Sequence, residues 1–111
     1  MNKIEIYTMY RYNIDIQFEW DENKRLKNID KHGVDFKEAK SVFYDDDALV
    51  IIDSEHSIIE ERFIILGMSN KARALVVCHC YRKNEKTIRI ISARKATSKE
   101  IQQYVAKKVT L

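Results

Sequence analysis

At 111 residues, with 45% hydrophobic and 33% charged side chains, two glycines and no proline, the chain suits one compact domain spanning residues 1–111. It is too short for two ordinary domains and too apolar for a disordered chain. No stretch approaches the roughly 18 to 20 uncharged apolar residues of a membrane span. The N-terminus alternates in polarity and lacks the continuous apolar region of a secretory leader, so a cytoplasmic location is expected. The formal charge of +3 conceals an asymmetry: residues 1–61 hold 8 Lys and Arg against 15 Asp and Glu, net −7, whereas residues 62–111 hold 12 against 2, net +10. A cationic half of this kind attracts a polyanion, nucleic acid being the commonest, with a solvated surface or the dock of an acidic protein as the other readings.

From Ile4 to Phe18 the even positions are mostly apolar and the odd ones polar, the period of a half-buried strand. "WDENKRLKNIDKHG" predicts a helix, with Asp21 as N-cap, Leu26 and Ile29 as a narrow apolar face, and Gly33 as terminator. Lys24, Lys27 and Lys31 form a basic stripe at its helical spacing. "VDFKEAKSVFY" predicts a second, short helix, with Asp35 and Glu38 at capping-box spacing and Phe36, Ala39, Val42 and Phe43 facing inward.

Four strand signals follow: "ALVIID", "ERFIILG", "ARALVVCHCYR" and "TIRIISAR". Their short polar connections favour an antiparallel meander. "VVCHCY" is apolar on both faces and reads as central, while the strand containing Asp53 reads as nearer an edge. The chain closes with "TSKEIQQYVAKKV", where Thr97 and Glu100 make a capping box and Ile101, Tyr104, Val105 and Val109 should face inward. The predicted class is α+β, an antiparallel meander with two N-terminal helices and a C-terminal helix packed on it.

The chemistry-bearing residues concentrate late in the chain. Strand alternation places Ile88, Ile90, Ser92 and Arg94 on one face and Arg89, Ile91 and Ala93 on the other. A guanidinium on a core-directed face is costly unless paired, so Arg94 should sit where that face opens, either as a fork for phosphate or in a structural salt bridge. Arg62 shares a face with Ile64 and Leu66, so two neighbouring strands would set two cations on one surface. His79 falls on the face of Leu75 and Val77, where a satisfied buried histidine and a catalytic one are both open readings. Cys78 and Cys80 point to one face along an extended backbone, which disfavours a disulfide between them, and "CHC" alone cannot supply four zinc ligands. Both read as core thiols. Asp45, Asp46 and Asp47 read as an acidic turn, since three consecutive carboxylates converge poorly on one octahedral ion. No metal and no cofactor are expected, and no phosphate loop, zinc-protease motif or nucleophile elbow occurs.

"FEWDENKRLKNIDKHGVDFKEAKSVF", "ERFIILG", "LVVCH" and "RIISARKATSKEIQQY" together resemble the toxin of BrnT/BrnA type II toxin-antitoxin systems, from Phe18 to about Tyr104. The ordered set W-D-x-x-K, K-H-G-V-x-F, an Arg-led strand and R-I-I-S-A-R-x-A-T carries the resemblance. Residues 1–13 fall outside it as an extra strand or extension, and Met9 offers an alternative start. The resemblance implies a RelE-like fold, an endoribonuclease that halts translation, and neutralisation by a small dimeric BrnA-like antitoxin in a two-plus-two complex, with DNA met only through the antitoxin. It favours the phosphate-binding reading of Arg94. On this basis Arg62, Arg94 and His79 are the catalytic candidates, and Lys24, Lys31, His32 and Arg89 the RNA-binding ones, with either histidine available to move a proton. A non-catalytic RNA- or DNA-binding module, or a protein-interaction domain, is the alternative function.

Overall fold

The structure, a computed structural model, describes residues 16–53, 60–82 and 86–109. Most of the strand expected from Ile4 onward therefore lies outside the described residues. Its last part is β1 (Gln17–Glu19), which leads into α1 (Glu22–His32). Asp21 caps α1, its carboxylate accepting the Lys24 N–H at 3.0 Å. Glu22 in the first turn and Lys31 and His32 in the last complement the helix dipole. Gly33 ends the helix in the left-handed region at φ 68°, and its N–H closes on the Ile29 carbonyl.

The inward face of α1 differs from expectation. Leu26 is 52% exposed, and the buried residue is Asn28. Its amide Nδ2 donates to the Val34 and Ala93 carbonyls, both at 2.8 Å, while its Oδ1 accepts the Ala93 N–H at 3.1 Å. One side chain thus does for the margin of a strand what a neighbouring strand would do.

The second helix is a short α2 (Phe36–Ala39) continued by a 3-10 turn (Lys40–Tyr44). Asp35 caps it through the Lys37 N–H at 2.9 Å. Glu38 does not complete a capping box. It is buried, bonded to the Ser69 hydroxyl at 2.7 Å and to the Arg73 guanidinium, and that guanidinium holds its carboxyl below the usual range.

The strands β2 (Leu49–Ile52), β3 (Phe63–Met68), β4 (Ala74–Arg82) and β5 (Thr87–Lys95) form the expected antiparallel meander. The full order is β1-β5-β4-β3-β2, which puts β4 at the centre and β2 at an edge. β1 adds in parallel beside Thr87 to Arg89, a pairing that the alternation of residues 4–18 gave no means of choosing.

One face of the sheet carries the main core. Phe63, Ile65, Leu75, Val77, Ile88, Ile90 and Ala93 pack there against Val34, Phe36, Ala39, Val42 and Phe43 from α2 and its flanks. The other face is only partly covered. Leu66 and Val76, with Leu49 and Ile64 beside them, bury Tyr104 of α3 (Ser98–Val109). Of the residues expected to anchor α3, Tyr104 is 3% exposed, whereas Ile101 and Val105 are 41% and 48% exposed, and the Val109 side chain lies outside those described; Lys107 adds a polar contact, donating to the Ala48 carbonyl at 3.2 Å. The Tyr104 hydroxyl donates to Asp45 Oδ2 at 2.6 Å, and the same oxygen accepts the Met68 N–H at 2.7 Å. The first of the three acids is therefore a latch joining turn, sheet and helix.

Candidate active site

Register decides where the arginines go. Cys78 faces Ser92 but His79 faces Ile90, so Ile91 is an extra residue and β5 bulges. Beyond the bulge the alternation changes phase. Ala93 joins Ile88 and Ile90 in the main core, and Arg94 turns to the opposite, partly open face. The sequence expectation that Arg94 shares a face with Ile88 and Ile90 is thus corrected; counting by twos across a bulge gives the wrong side.

On that face lies a cleft of about 250 Å³ lined by His32, Asp53, Arg62, Ile64, Val76, Cys78 and the β5 residues from Ile91 to Arg94. Arg62 precedes β3 and Arg94 belongs to β5, with β4 between them, so the two cations come from alternate strands where neighbouring ones were expected. Val76 and Cys78 of β4 line the cleft between them. Phe63 faces His79 whereas Arg94 faces Val76, so the arginines enter from opposite ends of this floor. His32 reaches the cleft because Asn28 fastens α1 beside Ala93.

Arg94 is also ion-paired. Its Nη1 and Nη2 donate to Glu100 Oε1 and Oε2 at 2.8 and 2.9 Å. Glu100 at the same time completes the predicted capping box, accepting the Thr97 N–H at 2.8 Å while its own N–H meets Thr97 Oγ1 at 3.2 Å. The guanidinium pulls the Glu100 carboxyl down to about 2. Arg94 thus makes the structural salt bridge and still lines the cleft, so the pairing does not remove it from that surface.

The other candidates separate. His79 is wholly buried on the main-core face, its ring against Phe43 at 4.7 Å and Tyr81 at 5.5 Å between centroids. Its Nδ1 meets the Val77 carbonyl, its Nε2 finds no hydrogen-bond partner among the described residues, and burial pushes its pKa to about 4. It lies across the sheet from the arginines, where substrate has no approach, and its expected catalytic role is withdrawn on that ground. Arg89 is on the cleft's side of the sheet but outside the cleft, donating to Glu19 at 3.1 Å. Lys24 and Lys31 are exposed on α1 and do not line the cleft; Lys31 adjoins His32, while Lys24 lies about 10 Å further along the axis.

A family model described as ribonuclease toxin, BrnT, of type II toxin-antitoxin system matches residues 20–100. The chain belongs to the BrnT family of ribonuclease toxins. It is also similar to the crystal structure of the Brucella abortus ribonuclease toxin BrnT, with 26% identity and a TM-score of 0.57, over 75% of this chain and 99% of that one. No match is found among curated proteins.

Several residues around the cleft of this BrnT-family chain had no individual signal in the sequence. Asp53 served in the sequence only to mark its strand as nearer an edge, and it lines the cleft while its N–H bonds the Arg62 carbonyl at 2.8 Å. Cys78 belongs to the cleft wall, not the core, with burial raising its thiol pKa; Cys80 is buried as expected. Arg25, next to the named Lys24, makes the ion pairs to Glu22 and Asp35 that hold the start of α1 to the cap of α2. Among the described residues, no group of three potential metal ligands gathers, and no helix is long and apolar enough to cross a membrane.

Proposed function

We propose that this BrnT-family chain is an endoribonuclease that cuts RNA in the cleft between Arg62 and Arg94 and so inhibits translation. The observation that carries the reading is the convergence of two arginines from alternate strands on one cleft, with a histidine at its edge. In the economical chemistry for such a site the ribose 2′-OH attacks the adjacent phosphorus, displaces the 5′-oxygen and leaves a cyclic phosphate. The two guanidiniums stabilise the charge that grows on the phosphorane oxygens, and a planar, permanently charged fork suits that task. His32 is assigned the proton transfer, with the Asp53 carboxylate in the same cleft lining as a second candidate. The reaction is proposed to need no metal; Asp45, the first of the three consecutive acids, is engaged by Tyr104 and Met68. Lys24, Lys31 and, further out on the open face, Arg89 are assigned to the RNA backbone.

A BrnA-like antitoxin covering the same basic surface would make inhibition and RNA exclusion one event, in a two-plus-two complex if that partner is dimeric. A purely binding module would share the cleft and the charge but not the cutting. The test is purified protein with end-labelled RNA in excess chelator, beside Arg62→Ala and Arg94→Ala. Cleavage by the parent, lowered on the order of a hundredfold in each variant, is expected. Binding without cleavage would replace the nuclease by a binder, and folded variants that cut at the parent rate would remove the arginines from the mechanism.

A further inference from the structure

Arg94 stands as the wall between two depressions. One is the cleft with Arg62 and His32. The other is a more apolar groove beneath α3, lined by Leu49, Ile64, Leu66 and Val76 together with Arg94, Glu100 and Gln103. Glu100 lines only the second, so it grips the guanidinium from behind the proposed site.

Guanidinium geometry then determines what is left over. The group has five N–H bonds in one plane. Glu100 takes one from each terminal nitrogen, and Nη1 gives its other to the Lys95 carbonyl at 3.3 Å. The two remaining are Nε–H and the outer N–H of Nη2, which lie parallel on the same edge, a second fork. No described residue accepts from either, and the Arg94 side chain is 42% exposed.

Glu100 is itself held. It is the third residue of α3 and is locked by reciprocal bonds with Thr97, so its carboxylate has little freedom to follow a moving arginine. By contrast Arg73 spends Nε–H and one Nη2 N–H on buried Glu38 and the other Nη2 N–H on the Gly33 carbonyl. That pair has the same chemistry, but with Nε and both Nη2 N–H bonds engaged only Nη1 remains, and no second fork of parallel N–H bonds is left.

We infer that Glu100 is a positioning residue for RNA cleavage: it occupies one fork of Arg94 and thereby aims the other at a substrate phosphate in the cleft. The inference rests on the reading of Arg94 given under Proposed function. The same carboxylate also accepts the Thr97 backbone N–H, a bond that does not depend on the Thr97 side chain, so capping and aiming share one group but can be perturbed separately.

The variant that separates these roles is Glu100→Gln. Glutamine serves in a capping box, so α3 keeps its start, but a neutral amide offers one acceptor where the carboxylate offered two charged ones. Thr97→Ala is the reverse control, weakening the cap while leaving the ion pair. Steady-state cleavage of end-labelled RNA in excess over the full chain gives kcat and KM, and thermal melts verify folding. Expected is a fall in kcat of between about tenfold and a hundredfold for Glu100→Gln, the scale of a misplaced catalytic group, with KM changed far less. Thr97→Ala should keep kcat within about twofold, and Glu100→Gln should cost nothing more in an Arg94→Ala background. A folded Glu100→Gln with parent kcat, or a loss that adds fully to that of Arg94→Ala, overturns the positioning role and leaves that of Arg94 standing. An Arg94→Ala variant that cuts normally overturns both.

Discussion

Replacing Asn28 by Ala removes three hydrogen bonds at once, to the Val34 carbonyl and to both backbone groups of Ala93. At about 1 kcal/mol net for each bond, the loss is about 3 kcal/mol. Alanine recovers roughly 0.6 kcal/mol through its better helix propensity, leaving a destabilisation of about 2.5 kcal/mol. For a domain of this size that corresponds to a fall of roughly 10 °C in Tm. Asn28→Asp should be worse, because a carboxylate keeps the acceptor for the Ala93 N–H but faces two carbonyl oxygens without a donor. Circular dichroism melts and urea titrations measure both, and cleavage at low temperature shows whether loosening the strand beside Arg94 also slows the chemistry. If Asn28→Ala melts within about 2 °C of the parent, the side chain is not bridging helix and strand, and the account of how His32 is brought to the cleft fails with it.

Other perturbations reach different parts of the structure. Gly67→Ala would set a Cβ 2.9 Å from Val42 Cγ1, 3.0 Å from Asp45 Oδ2 and 3.1 Å from Ala48 Cβ, so a loss of about 1–3 kcal/mol is expected, and an unchanged urea midpoint would refute the crowding. Because Arg94 holds the Glu100 carboxyl at about 2 against an ordinary 4.5, the pair's stabilisation should be complete above pH 4.5 and fade as pH falls toward 2; Glu100→Gln should flatten that part of the stability curve. The effect will be modest, since both partners are partly exposed. Lys24→Ala and Lys31→Ala should each lower the salt slope of RNA binding by about one at most, and equal slopes would return them to solvated surface. Arg94→Glu should weaken binding of the cognate antitoxin as well as cleavage, and an undiminished antitoxin affinity would place inhibition elsewhere.

What the sequence disclosed and what it hid divide along a physical line. Local signals were legible: the Asp21 cap, the Gly33 stop, the Thr97 and Glu100 box and the central place of β4 all depend on neighbours in the chain. Arg62 and Arg94 could be picked out as cations among apolar residues, and both do line the cleft. Hidden were features set by partners far away. Glu38 is spaced for a capping box, yet Arg73 and Ser69 take it. Leu26 is spaced for the core, yet a polar residue fills that role because the margin of β5 needs hydrogen bonds more than α1 needs burial. Likewise the Asp45 latch onto Tyr104 joins residues too distant in sequence for any spacing rule to connect.

The bulge in β5 has a consequence for chain length. A strand of strict alternation running from Ile88 would place Arg94 on the main-core face, and the extra residue at Ile91 restores it to the cleft side. Removing Ile91 alone would leave Ile88, Ile90 and Ala93 inward and Ser92 and Arg94 outward, now in regular alternation. A chain one residue shorter at this point keeps every remaining residue on its side and loses only Ile91 from the cleft lining. What it would give up is the added twist and bend that a bulge supplies. In this strand, which side Arg94 faces and how sharply the cleft curves are separate variables, and a single-codon deletion can alter the second without turning Arg94 away from the cleft.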